Sequence, residues 1–429
     1  MEPPPTGAAA APGGAATDAR SDALIYLLLG AISVRRTLLA GAPGAGAPGR
    51  GAAAGPRCPP SRGGRSRVPE PAPVTAALPF PSPAPRVSAT LAATDYFRRS
   101  PARLRGRADH KEWQHFLVHT EGAHLLVNFN LVDDRWAPDP RRAEVARLIA
   151  LARTDAWDGG VDRFADGEVE VVPGRVDARF GESWLRFDQG RYLLSIALRD
   201  RPLAAELELV PTTTPALSAN QPLSPERSLS WLFVPRLVAR GTITAGGVTR
   251  RVEAAPAYHD HNWGHFLWGD DFSWEWGSAL PWDPANAWSV VHVRMTDRGR
   301  SAARYQGLFL WRGSEPLRVF RDEEIRVAYD GCFDVGRPLR VPRVMALLAS
   351  GAASDVPRRM EVVARGDGDE LRLRFAPEAV AQVVMPSERE LEAVTVLNEV
   401  SGRAALSGRV RGVEVAMEGP GVFEFLRDG

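Results

Sequence analysis

The chain has 429 residues, a length that predicts two folded domains rather than one compact core. Its 53 basic and 52 acidic residues nearly balance, so charge gives no reason to expect a nucleic-acid partner. Two cysteines are too few for a disulfide framework or a cysteine-rich zinc site.

The first 87 residues are dominated by Ala, Gly, Pro and Arg. Such a segment cannot bury enough apolar surface to offset its conformational entropy, so we expect residues 1–87 to form a disordered leader. The apolar run at 23–34 is shorter than the ~20 residues of a spanning helix, and it follows no clean basic region. We therefore predict a cytoplasmic protein and leave membrane association open.

Short strand-like runs begin after the leader. Alternating residues at 113–119 and 125–131, separated by the turn Thr120-Glu121-Gly122, predict a β-hairpin. Similar runs recur through both halves of the chain, with Gly, Pro and Asp between them, which favours antiparallel sandwiches or barrels over βαβ units. Residues 143–152 fit either a helix or a buried strand. The predicted fold class is all-β.

Aromatic and ionisable residues concentrate near the middle of the chain. Six of the twelve tryptophans lie within 26 residues, and histidines and carboxylates lie among and beside them. No other part of the chain combines so many of these groups, so we expect the functional site here. The six are Trp263, Trp268, Trp274, Trp276, Trp282 and Trp288.

The segment at 258–264 reads Tyr-His-Asp-His-Asn-Trp-Gly. If it is a strand, alternation places His259, His261 and Trp263 on one face and Asp260 on the other. A histidine beside a tryptophan wall can protonate an apolar substrate while the indole stabilises the developing cation. Two other interpretations stay open: the cluster closes a barrel end without chemistry, or the two histidines bind zinc, although no third ligand has a diagnostic spacing.

This heptapeptide resembles the signature of the carotenoid 1,2-hydratase (hydroxyneurosporene synthase) family, and a similar one occurs in fungal Diels–Alderases of related fold. Trp274-Glu275-Trp276-Gly277 looks like the family's tryptophan–glycine strand, and the run at 419–425 looks like its closing strand. The resemblance implies two consecutive lipocalin-like (calycin-type) antiparallel β-barrel or sandwich domains, at 88–265 and 266–429.

The resemblance also implies an activity. Members add water to a terminal C=C bond of an acyclic carotenoid or other isoprenoid by acid catalysis, without metal or organic cofactor. By position, His261 and Trp263 match the family's His-x-Trp pair. The sequence departs from the family where a Tyr-x-Asp pair is expected, because Trp288-Ser289-Val290 stands there without a carboxylate. The proton donor is therefore unassigned: the local substitutes are Asp270, Asp271, Glu275 and Asp283, of which Glu275 is preferred.

These arguments give a set of expected site residues and partners. The expected partner is an apolar small molecule, with no nucleic acid, metal or cofactor, and peripheral membrane contact for substrate access is left open. The alternatives are a cofactor-free cyclase or isomerase acting on a polyene and a non-catalytic carrier of an apolar ligand. His261 and Trp263 are expected to line one cavity wall together with Trp276 and Trp288. The catalytic candidates are His261, Trp263, Asp260 and Glu275, and the substrate-binding candidates are His259, Tyr258, Trp276 and Trp288.

Overall fold

The computed structural model describes residues 80–98, 109–132, 144–348, 355–390 and 393–428. In this part of the chain nearly all regular structure is β-strand, arranged in two sheets. Pairing is antiparallel apart from one short strand in the second sheet. The expected leader lies outside the described residues except for 80–87, and so does the apolar run at 23–34.

The first sheet contains twelve strands among the described residues. Their order in space is β4-β3-β2-β1-β12-β11-β9-β8-β7-β6-β5, and β10 pairs with β11. The predicted hairpin is confirmed as β1 and β2, and the ambiguous segment at 143–152 is largely strand β3. The strands are β1 (His110–His119), β2 (His124–Leu131), β3 (Glu144–Arg153), β4 (Trp157–Ala165), β5 (Val169–Val171), β6 (Asp177–Phe180), β7 (Ser183–Asp188), β8 (Arg191–Ala197), β9 (Ala204–Pro211), β10 (Ala216–Ser224), β11 (Arg227–Ala245) and β12 (Val248–His265).

This sheet curls around an apolar core. Phe164 of β4 contacts Phe180 of β6 with ring centroids 5.9 Å apart, and Phe129 of β2 contacts the same ring at 5.3 Å. Strands from opposite ends of the sheet thus share one core, which gives a barrel-like form. Helix α1 (Pro85–Thr94) buries Val87 and Leu91 in this core. It begins with a proline, whose fixed φ suits the first helical turn, and it starts before the leader boundary expected at residue 87.

The second sheet contains ten strands among the described residues, in the order β16-β15-β14-β13-β22-β21-β20-β19-β17. The short β18 pairs in parallel with β20 and precedes helix α2 (Arg343–Leu348). The strands are β13 (Ser273–Ala279), β14 (Trp288–Thr296), β15 (Ala303–Arg312), β16 (Glu315–Arg321), β17 (Ile325–Cys332), β18 (Leu339–Val341), β19 (Pro357–Gly366), β20 (Asp369–Pro386), β21 (Val394–Val410) and β22 (Val413–Asp428).

An apolar layer joins the two sheets. It takes side chains from both, including Leu117 and Trp231 of the first sheet and Trp276 and Val293 of the second. A further core lies on the other face of the second sheet, around Phe423 and Phe425. Because neighbouring side chains on a strand point to opposite faces, each central strand contributes to the layer between the sheets and to the core of its own sheet.

The predicted fold class is confirmed: the chain is all-β, with two lipocalin-like units. The first sheet ends at His265 and the second begins at Ser273. No helix in the described ranges has the length and apolar character needed to cross a bilayer. Helix α1 was not predicted, because its ten residues carry few apolar side chains and its burial depends on a core built by later strands.

Candidate functional site

Strand β12 carries the heptapeptide and lies between β1 and β11. The predicted alternation is confirmed, because neighbouring residues of the motif contact different cores. The His259 ring stacks on Phe116 of the first-sheet core with centroids 4.1 Å apart. The Tyr258 ring instead contacts Trp276 in the layer between the sheets, at 5.0 Å. The motif therefore has two chemically separate sides.

On the first side, four buried ionisable residues form what we call the ionic cluster: Asp95, Glu112, His259 and His261. Asp95 follows helix α1 and accepts bonds from His259 Nε2 at 2.8 Å and from His261 Nδ1 at 3.1 Å. The other ring nitrogen of His261, Nε2, donates to Glu112 Oε1 of β1 at 3.0 Å. The Tyr192 hydroxyl also donates to Asp95. The cluster thereby ties the end of α1 to β1 and β12.

The pKa values of Asp95, Glu112 and His261 favour their charged forms. Burial alone would lower the pKa of His261, but its bonds to Asp95 and Glu112 raise it above the ordinary value. Burial would likewise raise the pKa values of the two carboxyls. The histidines of the cluster nevertheless lower the pKa of Asp95, and His110 and His261 together bring the pKa of Glu112 to about 2. Both ring nitrogens of His261 are occupied by carboxylates. Proton transfer from His261 to a substrate would require breaking one of these bonds.

The tryptophans that were expected to share one cavity wall with His261 do not lie together. Trp263 is half-buried, 5.0 Å from the His261 ring, and the Arg98 guanidinium covers it at 4.3 Å. Trp276 lies on the opposite side of β12, in the layer between the sheets. Trp288 lies in the far core of the second sheet. The prediction of one shared wall is wrong, because adjacent strands of the second sheet send these two indoles to different faces.

The second side of β12 borders a cavity of about 30 Å³ between the sheets. That volume is enough for a water molecule but not for a polyene. Four tryptophans are among its ten lining residues, and two carboxyl groups from different sheets reach it. The residues that matter here are Trp113, Trp231, Trp274, Trp276, Asp260 and Glu424.

Asp260 is buried and bonded by its neighbours on the same side of β12. Tyr258 Oη donates to Oδ2 at 2.9 Å, and Asn262 Nδ2 donates to Oδ1 at 2.6 Å. Burial raises the pKa of Asp260 to about 6, against the lowering effects of the His259 charge and of the hydrogen bond from Tyr258. No arginine or lysine in the described ranges forms an ion pair with it. Asp260 therefore changes charge close to neutral pH.

Glu424 reaches the cavity from β22. Trp274 Nε1 donates to its Oε2 at 3.3 Å, and His115 Nδ1 lies 3.7 Å from Oε1. Burial, followed by the negative charge of Asp260, raises the pKa of Glu424 to about 8. Burial lowers the pKa of His115 to about 3, so this imidazole is neutral and supplies no positive charge. Glu424 is thus a protonated carboxylic acid at neutral pH, facing indole rings.

Glu275, the preferred proton donor from the sequence, lies on the other face of β13. Arg427 Nη2 donates to its Oε1 at 2.9 Å, Arg294 lies 3.6 Å from Oε2, and the Tyr329 hydroxyl donates to Oε2. Although burial opposes it, the charge of Arg427 and these other contacts lower the pKa of Glu275. A carboxylate paired with two guanidinium groups keeps its negative charge, so the geometry does not support Glu275 as an acid.

Sequence reasoning missed Asp95 and Glu112 of the ionic cluster and Glu424 at the cavity. For Glu424 a signal exists: it interrupts the apolar run Val422-Phe423-Glu424-Phe425-Leu426. A charged residue inside a strand that is apolar on both sides is rarely buried without a specific reason. Asp95 and Glu112 carry no comparable signal. In the described residues no group of three or more His, Cys, Asp or Glu side chains is arranged to hold a metal ion. The expected lack of metal and cofactor stays a prediction.

Comparison with known proteins supports the fold. No family model matches the sequence, and no curated protein matches it. A crystal structure of a Nitrosomonas europaea protein assigned as AttH aligns with a TM-score of 0.50 and 17% identity, covering 74% of this chain and 92% of that one. The crystal structure of CghA aligns with a TM-score of 0.50 and 13% identity, covering 75% and 88%. Kievitone hydratase from Nectria haematococca gives a TM-score of 0.48 and 13% identity, covering 79% and 94%. The first two alignments show a shared fold, and identities this low leave the reaction to be argued from the site.

Proposed function

We propose that this chain is an acid–base enzyme that adds water across a C=C bond of an apolar substrate. The observation that supports this most is the pair of carboxyl groups, Asp260 and Glu424, at a tryptophan-lined cavity and without an arginine or lysine ion pair among the described residues. Their raised pKa values differ by about two units, which is the separation expected for an acid and a base that act together near neutral pH.

The chemistry assigns one role to each carboxyl. Glu424 gives its proton to one alkene carbon, and the π electrons form the new C–H bond, which leaves a carbocation on the other carbon. The indole faces of Trp231, Trp274 and Trp276 stabilise this cation. A water molecule then attacks the cation, and Asp260 accepts the proton that the water loses. Return of that proton from Asp260 to Glu424 restores the enzyme, and the net change is one water added.

The substrate is proposed to be an acyclic carotenoid or another linear isoprenoid with a terminal double bond. Protonating such a bond gives a tertiary cation, the kind that a wall of indole rings stabilises best. The cavity of about 30 Å³ accommodates the attacking water, and the alkene end enters when the indole side chains rotate apart. The cyclase and carrier alternatives need shape and apolar surface, but they give no reason for two buried acids.

Mass spectrometry of the product tests this proposal. The purified full chain is incubated with an acyclic carotenoid, and with shorter linear isoprenoids, in isotopically labelled water. We expect a product that carries one labelled hydroxyl group, and no such product from the Glu424→Gln variant. A rearranged product of unchanged mass would replace the hydratase by the cyclase, and binding without conversion would replace it by the carrier.

A further inference from the structure

A third carboxyl group, that of Glu399, lies beside the proposed site and has no role in the reaction described above. Glu399 is on β21, directly opposite Glu424 of β22 in the strand register. Side chains two residues apart on a strand lie on the same side, so Glu399 shares the side of Leu397, which packs between the sheets. Val400, on the opposite side, packs in the core of the second sheet. The two glutamates therefore face each other within the layer that contains the cavity.

The surroundings of Glu399 offer no compensation for a charge. The side chain is completely buried, and neither oxygen has an aligned hydrogen-bond partner among the described residues. The ionisable groups that act on it are the carboxyls of Glu424 and Asp260, both of which oppose its ionisation. Burial, the largest cause, raises its pKa well above the ordinary value. A buried carboxyl in this setting stays neutral and keeps its O–H.

The guanidinium of Arg153, from β3, reaches the same side of β21 but is directed elsewhere. Arg153 donates to Ser401 Oγ at 2.9 Å, two residues from Glu399 on the same side of the strand, and also to Glu378 at 3.1 Å. The groups that face Glu424 from the packed elements are Asp260 of β12, the neutral His115 of β1 and the Trp274 indole of β13. None of these can neutralise the charge that Glu424 acquires when it gives up its proton.

We propose that Glu399 is a positioning residue that stays protonated through the reaction and donates its O–H to the carboxylate of Glu424 once Glu424 has protonated the substrate. This inference rests on the proposed function for the role of Glu424, and on the facing geometry of β21 and β22 for the contact itself. Rotation of the Glu399 carboxyl about its terminal C–C bond directs the O–H towards Glu424. A hydrogen bond to the charged form makes Glu424 a stronger acid than burial alone would allow.

Two substitutions separate a hydrogen-bond donor from a proton carrier. The Glu399→Gln variant keeps a neutral donor in nearly the same volume, whereas Glu399→Leu removes the donor and keeps the bulk. The titration of Glu424 is followed in the full chain by infrared difference spectroscopy of the protonated carboxyl band, assigned by its loss in Glu424→Gln. Thermal unfolding of each variant confirms that it is folded.

We expect the midpoint of the Glu424 titration to rise by about one unit in Glu399→Leu and to stay near its original value in Glu399→Gln. With a converted substrate, turnover is expected to fall ~10-fold in the leucine variant and to recover within a few-fold in the glutamine variant. Unchanged midpoints in both variants would overturn the inference. Equal loss of turnover in both would make Glu399 a proton carrier and would overturn it as well. The titration requires no turnover, so this inference and the proposed function can fail separately.

Discussion

The two sides of β12 use the same residue types to opposite effect. On one side, Asp95 and Glu112 face histidines, their pKa values are lowered, and every charge has a partner. On the other side, Asp260 and Glu424 face indole rings, and their pKa values rise to about 6 and about 8. Both pairs are buried. The difference arises from the partners alone.

One side of β12 therefore carries groups suited to stabilising the fold, and the other side carries groups suited to proton transfer. A buried charge with complete hydrogen bonding stabilises the fold only as long as all partners remain, and it has no proton to exchange near neutral pH. A buried acid without a cation destabilises the fold as pH rises, yet it carries a proton that can be transferred. Asp95 and Glu112 belong to the first kind of group, and Asp260 and Glu424 belong to the second.

The largest effect is expected from Glu424→Gln. Removing a general acid reduces the rate by ~10² to 10⁴-fold, so hydration should nearly stop. Wild-type Glu424 keeps its proton when folded and loses it when unfolded, so it lowers stability as pH rises from ~4.3 to its folded value. The variant should therefore gain stability relative to wild type at pH 8 compared with pH 5, measured by chemical denaturation.

Glu418→Gln is the matched control for this variant, because Glu418 lies on the same strand but is exposed. It should change neither rate nor stability. Normal turnover by Glu424→Gln would show that the acid lies elsewhere, and the contrast between the two sides of β12 would lose its functional meaning.

The next largest effect concerns the ionic cluster. His261→Gln leaves Asp95 and Glu112 buried without their shared cation, so we expect a stability loss of ~3 to 5 kcal/mol. Because folding raises the pKa of His261, its contacts with the carboxylates stabilise the fold fully below its unfolded pKa of ~6.5. Because folding lowers the pKa values of the carboxyls, the same contacts stabilise the fold fully above the unfolded carboxyl pKa of ~4.3. Denaturation at pH 6 therefore measures the contacts of His261 with Asp95 and Glu112 while these three groups are charged.

His265→Gln serves as the control for this measurement. His265 lies on the same side of β12, is 38% exposed, and has a longer contact of 3.7 Å with Asp109. Its replacement should cost less than ~1 kcal/mol. Should His261→Gln keep full stability yet lose turnover, the catalytic role expected for His261 from the sequence would be restored.

The smallest effect is a change of rate with pH. Asp260 must be ionised to accept a proton, and it becomes protonated below about pH 6. Glu424 must be protonated to donate a proton, and it becomes ionised above about pH 8. The pH profile of kcat/KM should therefore be bell-shaped between these values, with ~tenfold loss per unit outside them. A profile with one limb, or with none, would contradict the assignment of two carboxyls to one reaction.

Several features were predictable because they depend on local pattern. The all-β fold follows from short alternating runs separated by Gly, Pro and Asp. The split of the motif into two sides follows from the two-residue period of a strand. The tryptophan-rich segment, where the functional site was expected, contributes Trp274 and Trp276 to the cavity lining, and its functional role stays a prediction. Substrate class and reaction were suggested by the resemblance and stay proposals.

The partners on each side were not predictable. His261 meets Asp95 across 166 residues of sequence, and Trp274 meets Glu424 across 150. A strand pattern indicates that two side chains face opposite ways, but it does not indicate which face will meet a carboxylate and which will meet indole rings. For this reason Glu275 was proposed as the proton donor and Glu424 was missed, although both are glutamates in apolar strands.

By itself, then, the sequence determined the strands, their alternation and the aromatic segment, because these depend on residues a few positions apart. The tertiary structure decided which acids keep their protons. The pKa of a buried carboxyl depends on the charges and donors within a few ångströms, and sheet packing brings those groups from distant parts of the chain. Arg427 and Arg294 keep Glu275 ionised, whereas burial and the negative charge of Asp260 outweigh the hydrogen bond from Trp274 and leave Glu424 protonated at neutral pH.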